Sequence, residues 1–105
     1  MGAAEQLQTS PDHRDWTPVY ENEHATVLMH EDDRSSARVV PRARYRDVSE
    51  MDPLKYRDLI KIVGRTARSL MTGRSDSTRV GMSFEHAEGR GGRHVYLALR
   101  TYDPG

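Results

Sequence analysis

Residues 94–100, near the C-terminus, alternate apolar side chains with polar ones that could do chemistry. Because successive side chains of a strand point to opposite faces, a strand here would place His94, Tyr96, Ala98 and Arg100 on one face. An imidazole or a phenol can act as an acid or a base, and a guanidinium can hold an anion. The other face carries only apolar residues and is predicted to pack in the core: Val95, Leu97 and Leu99.

Nearby groups could join that polar face in binding an anion. Arg90, Arg93 and Arg100 would supply charge, and the Tyr96 phenol would supply a neutral hydrogen-bond donor. Glycines at positions 89, 91 and 92 could present backbone N–H groups to a phosphate. Two interpretations stay open: an anion pocket, or ordinary surface side chains beside a mobile, glycine-rich loop.

His86, Glu88 and His94 carry nitrogen and oxygen donors of the kind that zinc or iron accepts. His86 and Glu88 fall in residues 85–92, which are predicted as a loop because they are rich in glycine. A loop does not fix the distance between these donors. We therefore predict neither a metal nor another cofactor.

The basic residues comprise fourteen arginines and only two lysines. A GC-rich bacterial genome would explain this ratio, and so would selection for planar, two-pronged recognition of phosphate or carboxylate. Four arginines lie within the third predicted strand or shortly after it: Arg38, Arg42, Arg44 and Arg46. We predict a solvated edge that discourages aggregation, and the alternative is a strip of anion contacts.

One long amphipathic helix is predicted over residues 53–72. Asp52 is a good N-cap, Pro53 suits the first helical position, and Gly73 suits the left-handed residue that follows a helix. Apolar side chains recur at three- and four-residue spacing and form one stripe: Tyr56, Leu59, Ile60, Val63, Ala67, Leu70 and Met71.

Five strands are predicted around this helix, three before it and two after it. They cover residues 19–20, 25–29, 37–41, 78–84 and 93–102. The order β-β-β-α-β-β contains no βαβ repeat. It predicts an α+β fold in which an antiparallel sheet of about five strands has the helix packed on one face.

A length of 105 residues suits one small domain, predicted over residues 15–105. Residues 1–14 are polar and lack periodicity, so we expect a flexible N-terminal tail, with His13 at the surface. With 35% hydrophobic and 30% charged residues, such a chain gains burial by pairing with a second copy, so a homodimer is expected. Trp16, the only tryptophan, is expected in the core or in that interface.

The composition excludes several classes of site and partner. No cysteine is present, which excludes disulfides and thiolate metal sites. No apolar run approaches the ~18 residues of a membrane span, and the N-terminus does not resemble a signal peptide, so a cytoplasmic location is expected. A formal net charge of zero argues against non-specific binding to nucleic acid or to membranes.

The C-terminal third resembles histidine triad (HIT) proteins, in which a strand and a glycine-containing loop precede a strand with three alternating histidines. Residues 81–99 match that spacing without a gap. Residues 19–25 resemble the opening hairpin of the family, residues 39–42 the end of its Val-Ile-Pro-Lys strand, and residues 48–53 the segment before its long helix. The resemblance covers about residues 18–101 and implies a HIT-like fold.

The departures from the family concern its catalytic residues. In the family the middle histidine attacks the α-phosphate of a nucleotide, and Tyr96 stands in its place; His94 keeps the first histidine and Ala98 replaces the third. Ser83 matches an asparagine of the family and Arg90 a glutamine, so the resemblance implies that both contact a ligand. A phenol with a pKa of about 10 is a poor nucleophile at pH 7. We therefore do not expect the hydrolase or transferase reaction of the family.

Three functions remain open. The first is a HIT-like module that binds a nucleotide or another small anion without phosphoryl chemistry. The second is an enzyme recruited into bacterial specialised metabolism, with Tyr96, His94 or Glu88 as acid or base. The third is a non-catalytic, dimeric interaction partner. The sequence does not identify the ligand, and it does not decide whether the protein is an enzyme.

Overall fold

A computed structural model describes residues 13–89 and 92–104 of the chain. Helix α1 spans Pro53–Met71, one residue shorter than predicted. The Asp52 carboxylate accepts a hydrogen bond from the Leu54 N–H at 2.8 Å, which satisfies one of the donors left open at a helix N-terminus. Gly73 has a φ of 78°, a value that favours glycine, just beyond the end of the helix. The predicted helix and both of its end signals are confirmed.

Five strands form one antiparallel sheet in the order β1-β2-β3-β5-β4. They are β1 (Trp16–Glu21), β2 (Ala25–His30), β3 (Ser36–Pro41), β4 (Arg79–Gly89) and β5 (Gly92–Tyr102). The predicted α+β class, with five antiparallel strands and one helix, is confirmed. Strand β3 is at the centre of the sheet and pairs with β5 over Leu97–Arg100, so the segment with His94 and Tyr96 follows directly on an interior pairing.

The predicted loop over residues 85–92 is wrong for most of its length. Strand β4 continues to Gly89, and its register with β5 extends without interruption to the Gly89–Gly92 pair. Pairing with the neighbouring strand overrides the local preference of glycine for turns, because a β strand is stabilised by its cross-strand contacts. One consequence is that His86 and Glu88 lie on a strand with a defined register.

The main core lies between α1 and one face of the sheet. Leu97 and Leu99 on β5 are 0% and 1% exposed and face the helix, as the alternation of β5 predicts. The buried residues of the helix are Leu59, Ile62 and Leu70. The predicted stripe is therefore slightly rotated: Ile62 was missed, whereas Tyr56 and Ile60 are each 36% exposed.

Within residues 13–89 and 92–104, no helix combines the length and the apolar character that crossing a bilayer requires.

Candidate functional site

The face of the sheet turned away from α1, called the open face below, carries the polar side chains of β5. Tyr96 and Ala98 contact Leu28 and Val40 on this face, in a cluster separate from the main core. The register places Tyr96 opposite Glu85 and Arg100 opposite Gly81 of β4. The predicted alternation is therefore confirmed, because Tyr96, Ala98 and Arg100 share a face that the helix does not cover.

A groove of about 380 Å³ crosses the open face above β3, β5 and β4. Its floor is low because residues with small side chains lie at neighbouring register positions: Ser36, Gly81, Ser83 and Ala98. Larger polar or aromatic residues stand around that floor: Trp16, Arg38, Glu85, Tyr96, Arg100 and Tyr102. The groove therefore exists because small side chains are surrounded by larger ones, and some of the larger side chains are charged.

Three of the predicted site residues, Ser83, Tyr96 and Arg100, come together in this groove. His94 lies on the same face, beneath other side chains. Arg93 does not join them, because the alternation of β5 places it with Val95 on the side facing the helix. Arg90 lies outside the described residues.

Arg38 is the member of the groove that the sequence prediction placed differently. Its guanidinium carbon lies 4.0 Å from the centre of the Trp16 ring and 4.6 Å from the centre of the Tyr96 ring, so two aromatic faces hold it. The prediction that Arg38 lies on a solvated edge is wrong, since β3 is an interior strand. The signal was present, because Arg38 is the only charged residue within the apolar run of residues 37–41.

Arg38 and Arg100 occupy neighbouring strands of the open face. The register pairs Arg38 with Ala98 and Ser36 with Arg100, so the two arginines are diagonal neighbours on adjacent strands. Such diagonal positions lie about 7–8 Å apart at the backbone, within reach of long side chains. A phosphate or carboxylate between them would accept hydrogen bonds from two guanidinium groups.

Glu85 sets a limit on the ligand. Its carboxylate lines the groove and accepts a hydrogen bond from the Ser83 hydroxyl at 3.0 Å. A second negative group placed beside Glu85 would be repelled, whereas a hydroxyl or amino group there could donate a hydrogen bond to it. The groove therefore suits a molecule with an anionic end near Arg38 and Arg100 and a hydrogen-bond donor near Glu85.

His13 covers the end of the site where His94 lies. The imidazole of His13 is 0% exposed, and its Nε2 lies 3.1 Å from Nε2 of His94, which is 1% exposed. The His13 ring also meets the Tyr96 ring edge-on, with 5.2 Å between the ring centres. The prediction that His13 lies at the surface is wrong, and the predicted tail over residues 1–14 extends too far, since His13 belongs to the packed domain. Residues 1–12 lie outside the described residues.

The contact with Arg38 determines which nitrogen atoms of His13 and His94 carry protons. The Arg38 Nη1 atom lies 2.9 Å from Nδ1 of His13, and a guanidinium can only donate. Nδ1 of His13 therefore accepts, and the single proton of the neutral ring is on Nε2. That proton is donated to Nε2 of His94, whose own proton is consequently on Nδ1. The order Arg38, His13, His94 is a directed chain of hydrogen bonds.

The donors considered for a metal do not converge. His86 is opposite Val95, on the side facing the helix, whereas Ala87 is opposite His94 on the open face. His86 and Glu88 are thus separated from His94 by the sheet. Nε2 of His86 instead lies 4.0 Å from an Asp47 carboxylate oxygen. Across the part of the chain that the structure describes, no group of three or more His, Asp or Glu residues is arranged to hold a metal ion.

The loop between β2 and β3 fixes one end of the groove. The Asp33 carboxylate accepts hydrogen bonds from the Ser35 N–H at 2.9 Å and from the hydroxyls of Ser35 and Ser36. These hydrogen bonds, above all that of the Ser35 hydroxyl, hold the pKa of Asp33 below its usual value. Asp33 therefore stays ionised at neutral pH and keeps Ser36 in place at the groove.

Comparison with models of known protein families finds no match, and searches of curated proteins and of solved structures find no significant match either.

Proposed function

We propose that this chain is a HIT-like protein that binds a small anion bearing hydroxyl groups, such as a nucleotide, without transferring its phosphoryl group. The observation that carries the proposal is Arg38, held between Trp16 and Tyr96 and diagonal to Arg100 over a floor of small residues. An arginine fixed between two rings loses little further freedom on binding, so more of the interaction energy contributes to affinity.

The family resemblance supports the absence of phosphoryl chemistry. Tyr96 stands where the family has its nucleophilic histidine. Its side chain is nearly covered, at 7% exposure, and packs beneath Arg38 and His13. A protonated phenol in that position can donate a hydrogen bond but is a poor nucleophile.

Isothermal titration with AMP, adenosine and inorganic phosphate tests this function. We expect AMP to bind more tightly than either of the other two, because only AMP offers both an anion for the arginines and hydroxyl donors for Glu85. If adenosine binds as tightly as AMP, the anion is not what the groove recognises. If none of the three binds, nucleotides are excluded as the ligand class.

Arg100→Ala should weaken AMP binding by about 10- to 150-fold. Removing a hydrogen bond to a charged group costs about 1.5–3 kcal/mol, which converts to that factor in the dissociation constant. The matched control is Arg93→Ala, on the same strand but on the opposite side of the sheet, which should leave AMP affinity unchanged. Equal losses in the two variants would mean that general positive charge, and not the groove, attracts the ligand.

A second candidate function is acid–base catalysis, and the His13–His94 pair beside Tyr96 is the observation that favours it. These three groups could exchange protons with a substrate that reached them. His13 and His94 are at most 1% exposed. Such chemistry therefore requires His13 to leave its position first.

We also propose a homodimer formed through the outer edge of β4. This edge is eleven residues long, contains neither lysine nor proline and carries Met82 at 43% exposure, whereas the β1 edge is interrupted by Pro18 and a bulge. Antiparallel pairing centred on Met82 would place Arg79 opposite Glu85 of the second copy.

Light scattering should show a dimer for the native chain and a monomer for Met82→Lys, since two like charges would face each other across the symmetry axis. Val19→Lys places the same charge on the β1 edge, where Val19 is 55% exposed, and should leave the dimer intact. A monomeric native chain, or a Met82→Lys variant that stays dimeric, would refute pairing through β4.

A further inference from the structure

His13 lies three residues before the start of β1. Residues 13–15 form a turn, and β1 begins at Trp16. Beyond the turn the chain is firmly held, because Trp16 pairs with His30 and the Glu31 N–H donates to the Asp15 carbonyl at 3.2 Å. A change confined to residues 13–15 could therefore move the His13 ring away from the sheet without breaking the β1–β2 pairing.

The contacts of His13 depend on its ring being neutral. Protonation would occur at Nδ1, the atom that accepts from Arg38, and would leave two donors facing each other. It would also place a positive charge beside a guanidinium in a region without access to water. A proton on Nε2 of His94 would likewise face the Nε2–H of His13. Either protonation removes a hydrogen bond from the chain and replaces it with repulsion.

The open face carries titratable groups of both signs. Titratable or charged side chains share the open face on every strand within the described ranges: Glu21 on β1, His30 on β2, Arg38 on β3, Arg79 and Glu85 on β4, and His94, Tyr96, Arg100 and Tyr102 on β5. Glu21 and Glu85 are the acidic members of this set, and the Glu85 carboxylate already accepts a hydrogen bond from the Ser83 hydroxyl. Arg38 and Tyr96 both contact His13 and line the groove.

We propose that His13 is a proton-sensitive latch: acidification displaces its ring from His94 and Arg38 and extends the groove along β5 from Tyr96 to His94. In the closed form His13 packs against His94 and Arg38, and in the open form its ring is displaced. The closed form excludes a proton that the open form binds, and this difference sets the direction of the pH dependence. The closed form is favoured above the ordinary histidine pKa of about 6.5, and its population decreases as the pH falls below that value.

The effect of pH on the ratio of open to closed molecules has an upper limit. For each proton that the closed form excludes, the ratio of open to closed molecules rises by at most tenfold per pH unit below about 6.5. Between pH 6.5 and pH 5, one such proton gives an increase of up to about sixteenfold. The proposal does not depend on anion binding, because opening is measured on the protein alone.

Imidazole ¹⁵N NMR and Trp16 fluorescence of the full chain between pH 8.5 and pH 5 test the latch. At high pH we expect His13 with its proton on Nε2 and His94 with its proton on Nδ1. As the pH falls, both rings should become protonated together, and Trp16 emission should change over the same range, because its partner Arg38 is released from His13. Amide exchange in β5 should stay slow.

Three glutamine variants separate the latch from other titrations. His13→Gln should abolish the coupled transition, since an amide does not titrate. His30→Gln removes the imidazole that meets Trp16 edge-on at 5.2 Å, and His24→Gln removes one beside Asp58; both should keep the transition.

The proposal is overturned if the transition persists in His13→Gln, if it disappears in His30→Gln, or if no transition occurs down to pH 5. It is also overturned if the amides of β5 lose protection at the same pH, because global unfolding would then explain the change.

Discussion

Leu97→Ala is expected to lower the free energy of unfolding by about 2–5 kcal/mol, the largest effect on stability among the substitutions considered. Leu97 is 0% exposed, and it lies in β5 with Val39 of β3 on one side and Phe84 of β4 on the other. Removing its side chain leaves a cavity that the paired strands cannot close, because their backbones are fixed by the ladder of hydrogen bonds. Small domains have only about 5–15 kcal/mol of net stability, so this loss is severe.

Urea denaturation followed by circular dichroism measures this effect. Leu54→Ala is a matched control, because it removes the same atoms from the first turn of α1, where Leu54 is 62% exposed. That variant should change stability by less than about 0.5 kcal/mol. Equal losses in the two variants would contradict a core centred on β5.

Arg38→Ala should have the largest effect on ligand binding. The substitution removes a hydrogen bond to a charged group, worth about 1.5–3 kcal/mol, which converts to a loss of about 10- to 150-fold in AMP affinity. The loss should lie toward the upper end of that range, because the two rings already hold the Arg38 guanidinium in place before the ligand binds. Arg38→Lys should recover only part of the loss, because lysine keeps the charge but lacks the planar group that lies between Trp16 and Tyr96.

Isothermal titration of AMP into both Arg38 variants measures this difference. Arg42→Ala is the control, because Arg42 follows the end of β3, is exposed and is absent from the groove lining. Native affinity in Arg38→Ala would refute the proposed function. Native affinity in Arg38→Lys would keep the function but show that charge alone, without the stacked geometry, anchors the ligand.

The helix and the alternation of β5 could be predicted because their signals are local. Asp52 and Gly73 mark the ends of α1 through their own backbone and side-chain preferences. The two faces of β5 follow from a period of two, which holds for any strand. The length of β4 could not be predicted, because its last residues are set by pairing with β5, whereas their composition alone favours a loop.

The candidate site was only partly predictable for a related reason. Tyr96 and Arg100 are neighbours on one strand, so the sequence places them together. His13 and His94 are 81 residues apart, and a lone histidine in a polar segment carries no sign of a distant partner. Arg38 is an intermediate case, since its position in an apolar strand shows that it is unusual but not which residues surround it.

The junction between β3 and β5 also bears on how the chain folds. Strands β1, β2 and β3 join in sequence, and β4 and β5 form a hairpin, so contacts within each half close short loops. The β3–β5 junction instead pairs residues such as Ser36 and Arg100, which are 64 positions apart, at a higher cost in chain entropy. We therefore expect the two halves to form locally and to meet at that junction late in folding. Because the groove crosses the same junction, neither half contains it, and only molecules that have completed folding can bind there.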